Sequence, residues 1–597
     1  MLFLLLMAAY GLIALRLGYL QVVRAAWYRQ EAERTHTRDI TVPAHRGIIR
    51  DTNGEELAIN DDAATVSVDP SFYWDSKKYP LLRDETGKRR RVAPNREASA
   101  AAIAGILNLK KEDVLKKLNS RGYYQLLKRR VPLEVARRLR LADIAGINVD
   151  DEPKRVYPMG TLAGHVLGFT DLDGVGREGI EGVHEEALRR HDGVERHEVD
   201  RVGRIIPGTL HEARPPVDGA DVTLTIDARI QQAAERELNA ACSKYTAKAG
   251  TCVVIDPRTG YVLAMANYPP FDPNAPRPRK PEAWRNRAVT DTYEPGSTHK
   301  GITACAALDT GVVSTTRIIN CPAAITFGNH TIHDVTHGHG AFGPQTLGGV
   351  LAHSSNTGMS QVGNWLGPRR LDAYIRSFGL LSKSGIGLPG ESATSLPRPE
   401  TWSKHFTATV AFGQSISYTP LRLAAAYAAI ANKGLLMRPQ IVKQVRYPAT
   451  PTEPARTRTF PPVPVRQVIK PETAATVTRL LSQVVTDGTG KPAKVRGYQL
   501  VGKTGSAQKV VEGRYVPGKF VASFIGYLPA SNPRAVILVT VDEPHGTHWG
   551  AVAAAPVFRE VARQTMWFLN VPPDDPNDVF DGSDPSTWNR QRVAKRR

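Results

Sequence analysis

The stretch "EPGSTHKGIT", Glu294 to Thr303, puts a Pro-Gly turn directly before Ser297 and a lysine three residues after it. If Pro295-Gly296 closes a loop and a helix starts near Ser297, the Ser297 hydroxyl and the Lys300 amine share one face at i, i+3 and can touch. A serine hydroxyl is a poor nucleophile near neutral pH and needs an adjacent base. A lysine serves as that base only where desolvation or neighbouring cations depress its pKa. Ser-x-x-Lys alone decides nothing, because a chain of 597 residues should hold roughly one by chance. It needs partners.

Two other stretches supply candidates. "HSSNTG" offers Ser354 and Asn356, and with the intervening Ser355 turned away they present a hydroxyl for proton relay and an amide for substrate. The same residues also read as an ordinary helix N-cap. "LVGKTGSAQKVV" reads as a strand in which Lys503, Thr504 and Ser506 offer a cation and two hydroxyls to a carboxylate. Gly505 removes a side chain there, so that a substrate backbone can lie alongside as an added strand. A plain strand end with a solvated lysine is the commoner meaning of Lys-Thr-Gly.

Around these motifs the chain changes texture. After "RPPVDGADVTLTID" (214–227), Asp227 is a candidate N-cap for a helix carrying Ile230, Ala234 and Leu238 on one face. "TCVVIDPRTGYVLAMA" reads as two strands around Asp256 to Gly260, and "FVASFIGYLP" and "RAVILVTVDEP" as two more, followed by a closing helix "PVFREVARQTMWFL". Strands from both ends with a helical middle imply one sheet closed by its termini, an α/β (α+β) domain over 221–569.

The preceding region, 24–218, is charge-rich, with "KRRR" at Lys88 to Arg91 and "KRR" at Lys128 to Arg130 as solvated faces. Helical periods near Ala98 to Leu107 and Glu112 to Leu118, and strand-like pieces around Thr52-Asn53-Gly54, make it an extended mixed module. The tail, 570–597, is rich in Pro, Asp and Asn and is expected to be disordered. At the start, "MLFLLLMAAYGLIALRLGYLQVV" (1–23) is apolar over about 22 residues, enough as a helix to span roughly 30 Å of hydrocarbon. Ala25-Ala26 is a weak cleavage site, so the segment reads as an anchor. No Lys or Arg precedes the run, so either cytoplasmic residues precede this sequence or a large exported domain sets its orientation.

A net charge of +20 suits nucleic acid or an anionic envelope equally. With no zinc-finger spacing, Walker loop or aromatic-basic interleaving, and with an anchor present, the envelope is favoured. Four scattered cysteines imply no obligatory bridge. Cys321, His330, His333, Asp334, His337 and His339 contain ligand types for zinc, but their spacing matches no closed motif, and no metal or other cofactor is expected.

Ser-x-x-Lys, Ser-x-Asn and Lys-Thr-Gly in this order are the signature of penicillin-binding proteins and class A β-lactamases. "NRAVTDTYEPGSTHK", "LAHSSNTGMSQVG", "AFGQSISYTPLRLAAAYAAIANKG", "GYQLVGKTGSAQK", "YGLIALRLGYLQVVR" and "HRGIIRDTNGEELAIN" extend the resemblance over nearly the whole chain, to the class B penicillin-binding proteins, the monofunctional peptidoglycan D,D-transpeptidases. "EPGST" and "SSNTGMSQV" resemble the division-type FtsI/SpoVD branch. Three departures stand out: His299 and Gly301 replace an aliphatic residue and Pro, and Ser506 replaces Thr.

The resemblance implies a transmembrane anchor (1–23), a pedestal of the dimerisation type (24–218) and a penicillin-binding transpeptidase domain (221–569) outside the inner (cytoplasmic) membrane. It implies that Ser297 attacks the D-Ala-D-Ala carbonyl of a peptidoglycan stem peptide, with Lys300 as its base and Ser354 passing a proton to the leaving amine with help from Lys503. Asn356 would hold the substrate amide, and Thr504, Gly505 and Ser506 would bind substrate. The backbone N–H groups of Ser297 and Ser506 would form the oxyanion hole, typically worth about 3 kcal/mol per donor. β-Lactams would bind covalently, and a membrane glycan polymerase of the FtsW/RodA type is the implied partner. Competing readings are an elongation-type transpeptidase, a D,D-carboxypeptidase or β-lactamase, and a catalytically silent division scaffold. A hydrolase needs a water-activating base, and Glu391 in "LPGESATSLP" is the acidic candidate considered, assigned to structure.

Overall fold

The computed structural model describes residues 1–83, 88–200, 205–275, 281–335, 340–511 and 513–575. The sheet behind the three motifs has five strands in the order Val262–Tyr268, Ala249–Ile255, Ala535–Asp542, Arg514–Leu528, Val501–Val511. Every neighbouring pair is antiparallel. Strands from the two ends of the region therefore meet at the Ala249–Ile255/Ala535–Asp542 pair, as the apolar runs predict. The antiparallel ladder, with helices segregated from it, makes the layer α+β.

Asp227 caps the Ala228–Lys244 helix by accepting from Arg229 N. Ile230, Ala234 and Leu238 are all at 0% exposure against the sheet. Each Ile or Leu buried in this way contributes roughly 2 kcal/mol. The Ala555–Phe568 helix packs beside it. The helical middle, including Lys300–Asp309, Asn356–Leu366, Pro420–Ala431 and Pro471–Thr486, forms the other core cluster.

The Asp221–Leu224 strand departs from the expected boundary. It pairs in parallel with Ile49–Arg50 and antiparallel with Val442–Tyr447, inside a six-stranded sheet that also holds Glu56–Asp61, Lys154–Val156 and Arg456–Thr459. The cause is local: Asp221 accepts from Ile48 N, Arg50 Nη1 and Arg446 Nη2 at 2.8–2.9 Å, tying pedestal and catalytic segments to one carboxylate. The Thr52–Gly54 turn reinforces the junction, since Asp51 accepts from Ala228 N and Asn53 Nδ2 donates to Asp227, both at 3.0 Å.

Further out, helices Arg96–Leu107, Lys111–Leu118 and Leu133–Leu141 pack with the sheet Gln125–Pro132, Ala63–Val68, Ile147–Asp151 in a small separate core. The short Arg89–Arg91 strand is fully exposed.

At the N-terminus, Phe3–Val23 is 21 residues of helix with mean hydropathy 1.8 and none of it buried, long and apolar enough to cross a membrane. At the other end, the disorder expected for 570–597 falls mostly on 576–597, outside the described residues. Its first residues are ordered: Tyr498 Oη donates to Val571 O at 2.6 Å, and Asp574 accepts from Gln499 N and Ser531 Oγ.

Candidate active site

Pro295 and Gly296 open a single 3₁₀ turn, Gly296–His299, which runs directly into the Lys300–Asp309 helix. The turn is fixed to its surroundings by Gly296 N donating to Gly413 O at 2.9 Å and by Thr298 Oγ1 donating to Pro295 O at 2.7 Å. Ser297 lines a cleft of about 370 Å³ with Ser354, Asn356, Thr504, Ser506 and Trp549. Lys300 and Lys503, both at 0% exposure, reach the lining residue Ser354.

Lys300 Nζ donates to Ser354 O, to Asn356 Oδ1 at 2.8 Å and to Ser354 Oγ at 3.3 Å. From the opposite side Lys503 Nζ donates to the same Ser354 Oγ at 2.9 Å. The Ser354 hydroxyl thus bridges two buried amines. Burial pushes the Lys300 amine down to about 7, against the attraction of the Asp334 carboxylate. Lys503 is held well below the usual lysine range, first by burial and then by the charge of Lys300. The Ser297–Lys300 contact expected from i, i+3 spacing is not formed among the described residues. The turn keeps the two on one side, but Ser354 and Asn356 take the N–H groups of the lysine.

Ser354 adopts φ 60°, a left-handed conformation that is costly outside glycine and collects at functional sites. Ser355 does turn away from the cleft: its Oγ caps the Asn356–Leu366 helix by accepting from Gly358 N, and donates to Asp334 Oδ2 at 2.5 Å. The N-cap reading of this motif is met by Ser355, while Ser354 keeps its hydroxyl between the two lysines. Asp334 also accepts from Asn356 N at 2.6 Å and Thr357 Oγ1 at 2.8 Å. It holds the motif in shape, a role the sequence reading missed by placing it among metal-ligand types. His330 stacks on His405 with ring centroids 4.4 Å apart, and Cys321 Sγ donates to Ile319 O. His337 and His339 lie outside the described residues, and among the described residues no three His, Cys, Asp or Glu side chains gather as a metal site.

Among the described residues Val501–Val511 pairs with a strand on one side only, and its other edge is where an added strand could lie. The reason for glycine at 505 differs from the one expected. A Cβ there would meet Ser523 Oγ at 2.3 Å, Thr298 Cγ2 at 2.9 Å and Pro295 O at 3.0 Å, so the missing side chain makes room for Ser523 and for the Pro295–Thr298 turn. Thr504 Oγ1 pairs with Thr489 Oγ1 at 2.8 Å. Ser506 Oγ accepts from Gly550 N at 3.1 Å and keeps its own proton to donate into the cleft.

Among the described residues no carboxylate lines the Ser297 cleft. Glu391 is buried and accepts from Ser384 N, a structural role as expected. Glu294, overlooked in the sequence, stands three residues before Ser297. It accepts from Ser415 N at 2.8 Å and Tyr515 Oη at 3.1 Å, and burial pushes it up to about 7. It opens on a neighbouring cleft of about 480 Å³ shared with Asp291, Lys509 and Asp542.

The family model for the penicillin binding protein transpeptidase domain matches residues 250–563, and that for the penicillin-binding protein dimerisation domain matches 41–224. The chain belongs to the penicillin-binding protein transpeptidase family. Stage V sporulation protein D of Bacillus subtilis is 33% identical over 578 residues, 94% of this chain and 84% of that protein. Peptidoglycan D,D-transpeptidase FtsI of Escherichia coli is 32% identical, over 94% of this chain and 90% of that one. Among solved structures, penicillin binding protein 3 of Mycobacterium tuberculosis complexed with aztreonam is 29% identical with a TM-score of 0.66, covering 90% of this chain and 99% of its own. In this penicillin-binding protein, the Gly296–His299 turn, the Ser354–Asn356 turn and the Val501–Val511 edge strand all fall within the matched transpeptidase domain.

Proposed function

We propose that the chain is a serine-type D,D-transpeptidase that cross-links peptidoglycan stem peptides and is acylated by β-lactams. The observation that carries this reading is the Ser354 hydroxyl held between the Lys300 and Lys503 amines in the cleft of Ser297. In the forward step Lys300, neutral once deprotonated, takes the Ser297 proton as Oγ attacks the carbonyl of the penultimate D-Ala. The oxyanion is met by the Ser297 and Ser506 N–H groups. On collapse the C–N bond breaks, and the departing D-Ala amine receives a proton through Ser354, with Lys503 polarising that hydroxyl. The Asn356 side-chain amide, its Oδ1 accepting from Lys300 and its Nδ2 donating to His333 O, holds the substrate amide. Lys503, Thr504 and Ser506 receive the terminal carboxylate. An amine of a neighbouring stem then attacks the Ser297 ester, losing its proton through the same relay and freeing Ser297.

A donor stem peptide ending in D-Ala-D-Ala is expected to release D-Ala and form a cross-linked dimer when an amine acceptor stem is added, with Ser297→Ala giving neither product. Shortened donor with no dimer would favour a carboxypeptidase.

The apolar Phe3–Val23 helix supports single-pass anchoring in the cytoplasmic membrane with the catalytic region outside it. The relatives named for sporulation and for FtsI support a septal role, and the anchor with its pedestal supports a membrane glycan polymerase of the FtsW/RodA type as partner. A chain beginning at Arg24 should bind penicillin in vitro yet fail to replace the full chain in cells. Full complementation by that chain would remove the polymerase contact from the account.

A further inference from the structure

Beneath the Ser297 turn lies a buried polar cluster that the reaction does not touch. Tyr427, at 0% exposure on the Pro420–Ala431 helix, donates from its hydroxyl to Thr298 O at 2.6 Å. Tyr418, equally buried, sets its hydroxyl 3.0 Å from His299 Nδ1, and its backbone pairs with Tyr293 in both directions at 3.1 Å. Burial pushes His299 down to about 3, so its ring is neutral and adds no positive charge beside Lys300. One short segment, Tyr418 to Tyr427, therefore grips two consecutive residues between the nucleophile and its base.

Gly301 is what admits the second grip. A Cβ at 301 would fall 2.5 Å from the Tyr427 hydroxyl oxygen and 3.1 Å from Cζ, so the hydroxyl occupies the volume a side chain would need. Glycine is a poorer helix former than alanine, and its presence in the first turn of the Lys300–Asp309 helix needs a reason. The Tyr427 hydroxyl supplies it. The Thr298 carbonyl belongs to the peptide joining Thr298 to His299. Fixing it sets the backbone planes of the turn, and with them the direction of the Ser297 N–H and Oγ.

We propose that Tyr427 is a positioning residue for acylation, its hydroxyl reaching through the gap left by Gly301 to hold the Thr298 carbonyl and so aim Ser297. The proposal rests on Ser297 being the nucleophile. A structural role alone would lower thermal stability. A positioning role lowers the first-order acylation rate constant and leaves non-covalent affinity in place, because substrate contacts come from Asn356 and the Val501–Val511 edge.

The test uses the full chain with a fluorescent penicillin, resolving the non-covalent dissociation constant from the acylation rate constant and recording thermal melts alongside. Tyr427→Phe removes one hydroxyl and should lower the rate constant about tenfold, with the dissociation constant within about twofold of wild type. Gly301→Ala should produce a similar kinetic defect by displacing the same hydroxyl. In the double variant the two losses should not multiply, because the second change finds the contact already gone. Should Gly301→Ala not fold, Tyr427→Phe and the double variant still decide. Wild-type acylation by Tyr427→Phe, a loss confined to affinity, or losses that multiply in the double variant would each overturn the proposal. Absence of acylation in the wild-type chain would instead remove the proposed function, a distinguishable outcome.

Discussion

Lys300→Arg is expected to keep the fold and lose about 10³-fold in the rate of penicillin acylation, within the range that a general base supplies. The positive charge is retained, but a guanidinium does not give up its proton at working pH, so Ser297 loses its base. The site also gives arginine little room, since Lys300 is fully buried and its amine already meets Ser354 and Asn356. A thermal melt within a few degrees of wild type would separate lost chemistry from lost structure. Burial lowers the Lys300 pKa to about 7, so the base-competent neutral amine gains population as pH rises through about 7 and is saturated above it. Wild-type acylation should therefore fall about tenfold per pH unit below that point and level off above it. Lys300→Arg should lose this inflection. Near-normal acylation by the arginine variant would take Lys300 out of the base role.

The catalytic sheet was readable because its strands are continuous apolar runs and its hairpin is marked by Asp256 to Gly260, signals that lie within a few residues of one another. The Asp227 cap and the face of Ile230, Ala234 and Leu238 are local in the same way. The three site motifs are short and contiguous, so Ser297, Lys300, Ser354, Asn356 and Lys503 could be named before their convergence was known. What stayed hidden is what depends on contacts distant in sequence. The Lys300 amine turns to Ser354 and Asn356, more than fifty positions away, a choice that i, i+3 geometry cannot foresee. Asp334 reaches the Ser355–Thr357 segment from the end of a small hairpin, Ala324–Phe327 with His330–His333, and its neighbours disguised it as a ligand. Gly505 is small because Pro295 and Thr298 crowd it, and nothing in "KTGS" announces them. Composition likewise misjudged Asn570 to Asp575, because the partners of Val571 and Asp574 lie near Gln499.

Ser297 is expected to form an acyl-enzyme that waits for an amine and is not hydrolysed. Deacylation by water needs a second base placed against the ester. Among the described residues no carboxylate lines the Ser297 cleft, and Glu294, raised to about 7, is engaged by Ser415 and Tyr515 on the side of the neighbouring cleft. A penicillin bound to Ser297 should also fill the space through which an acceptor amine approaches. Intact mass followed by peptide mapping after a brief exposure to penicillin tests this directly. The account predicts one adduct, on the peptide containing Ser297, absent in Ser297→Ala and persisting for many minutes at neutral pH. Rapid return of unmodified enzyme with many penicillin molecules hydrolysed per chain, or an adduct on any other residue, would contradict it.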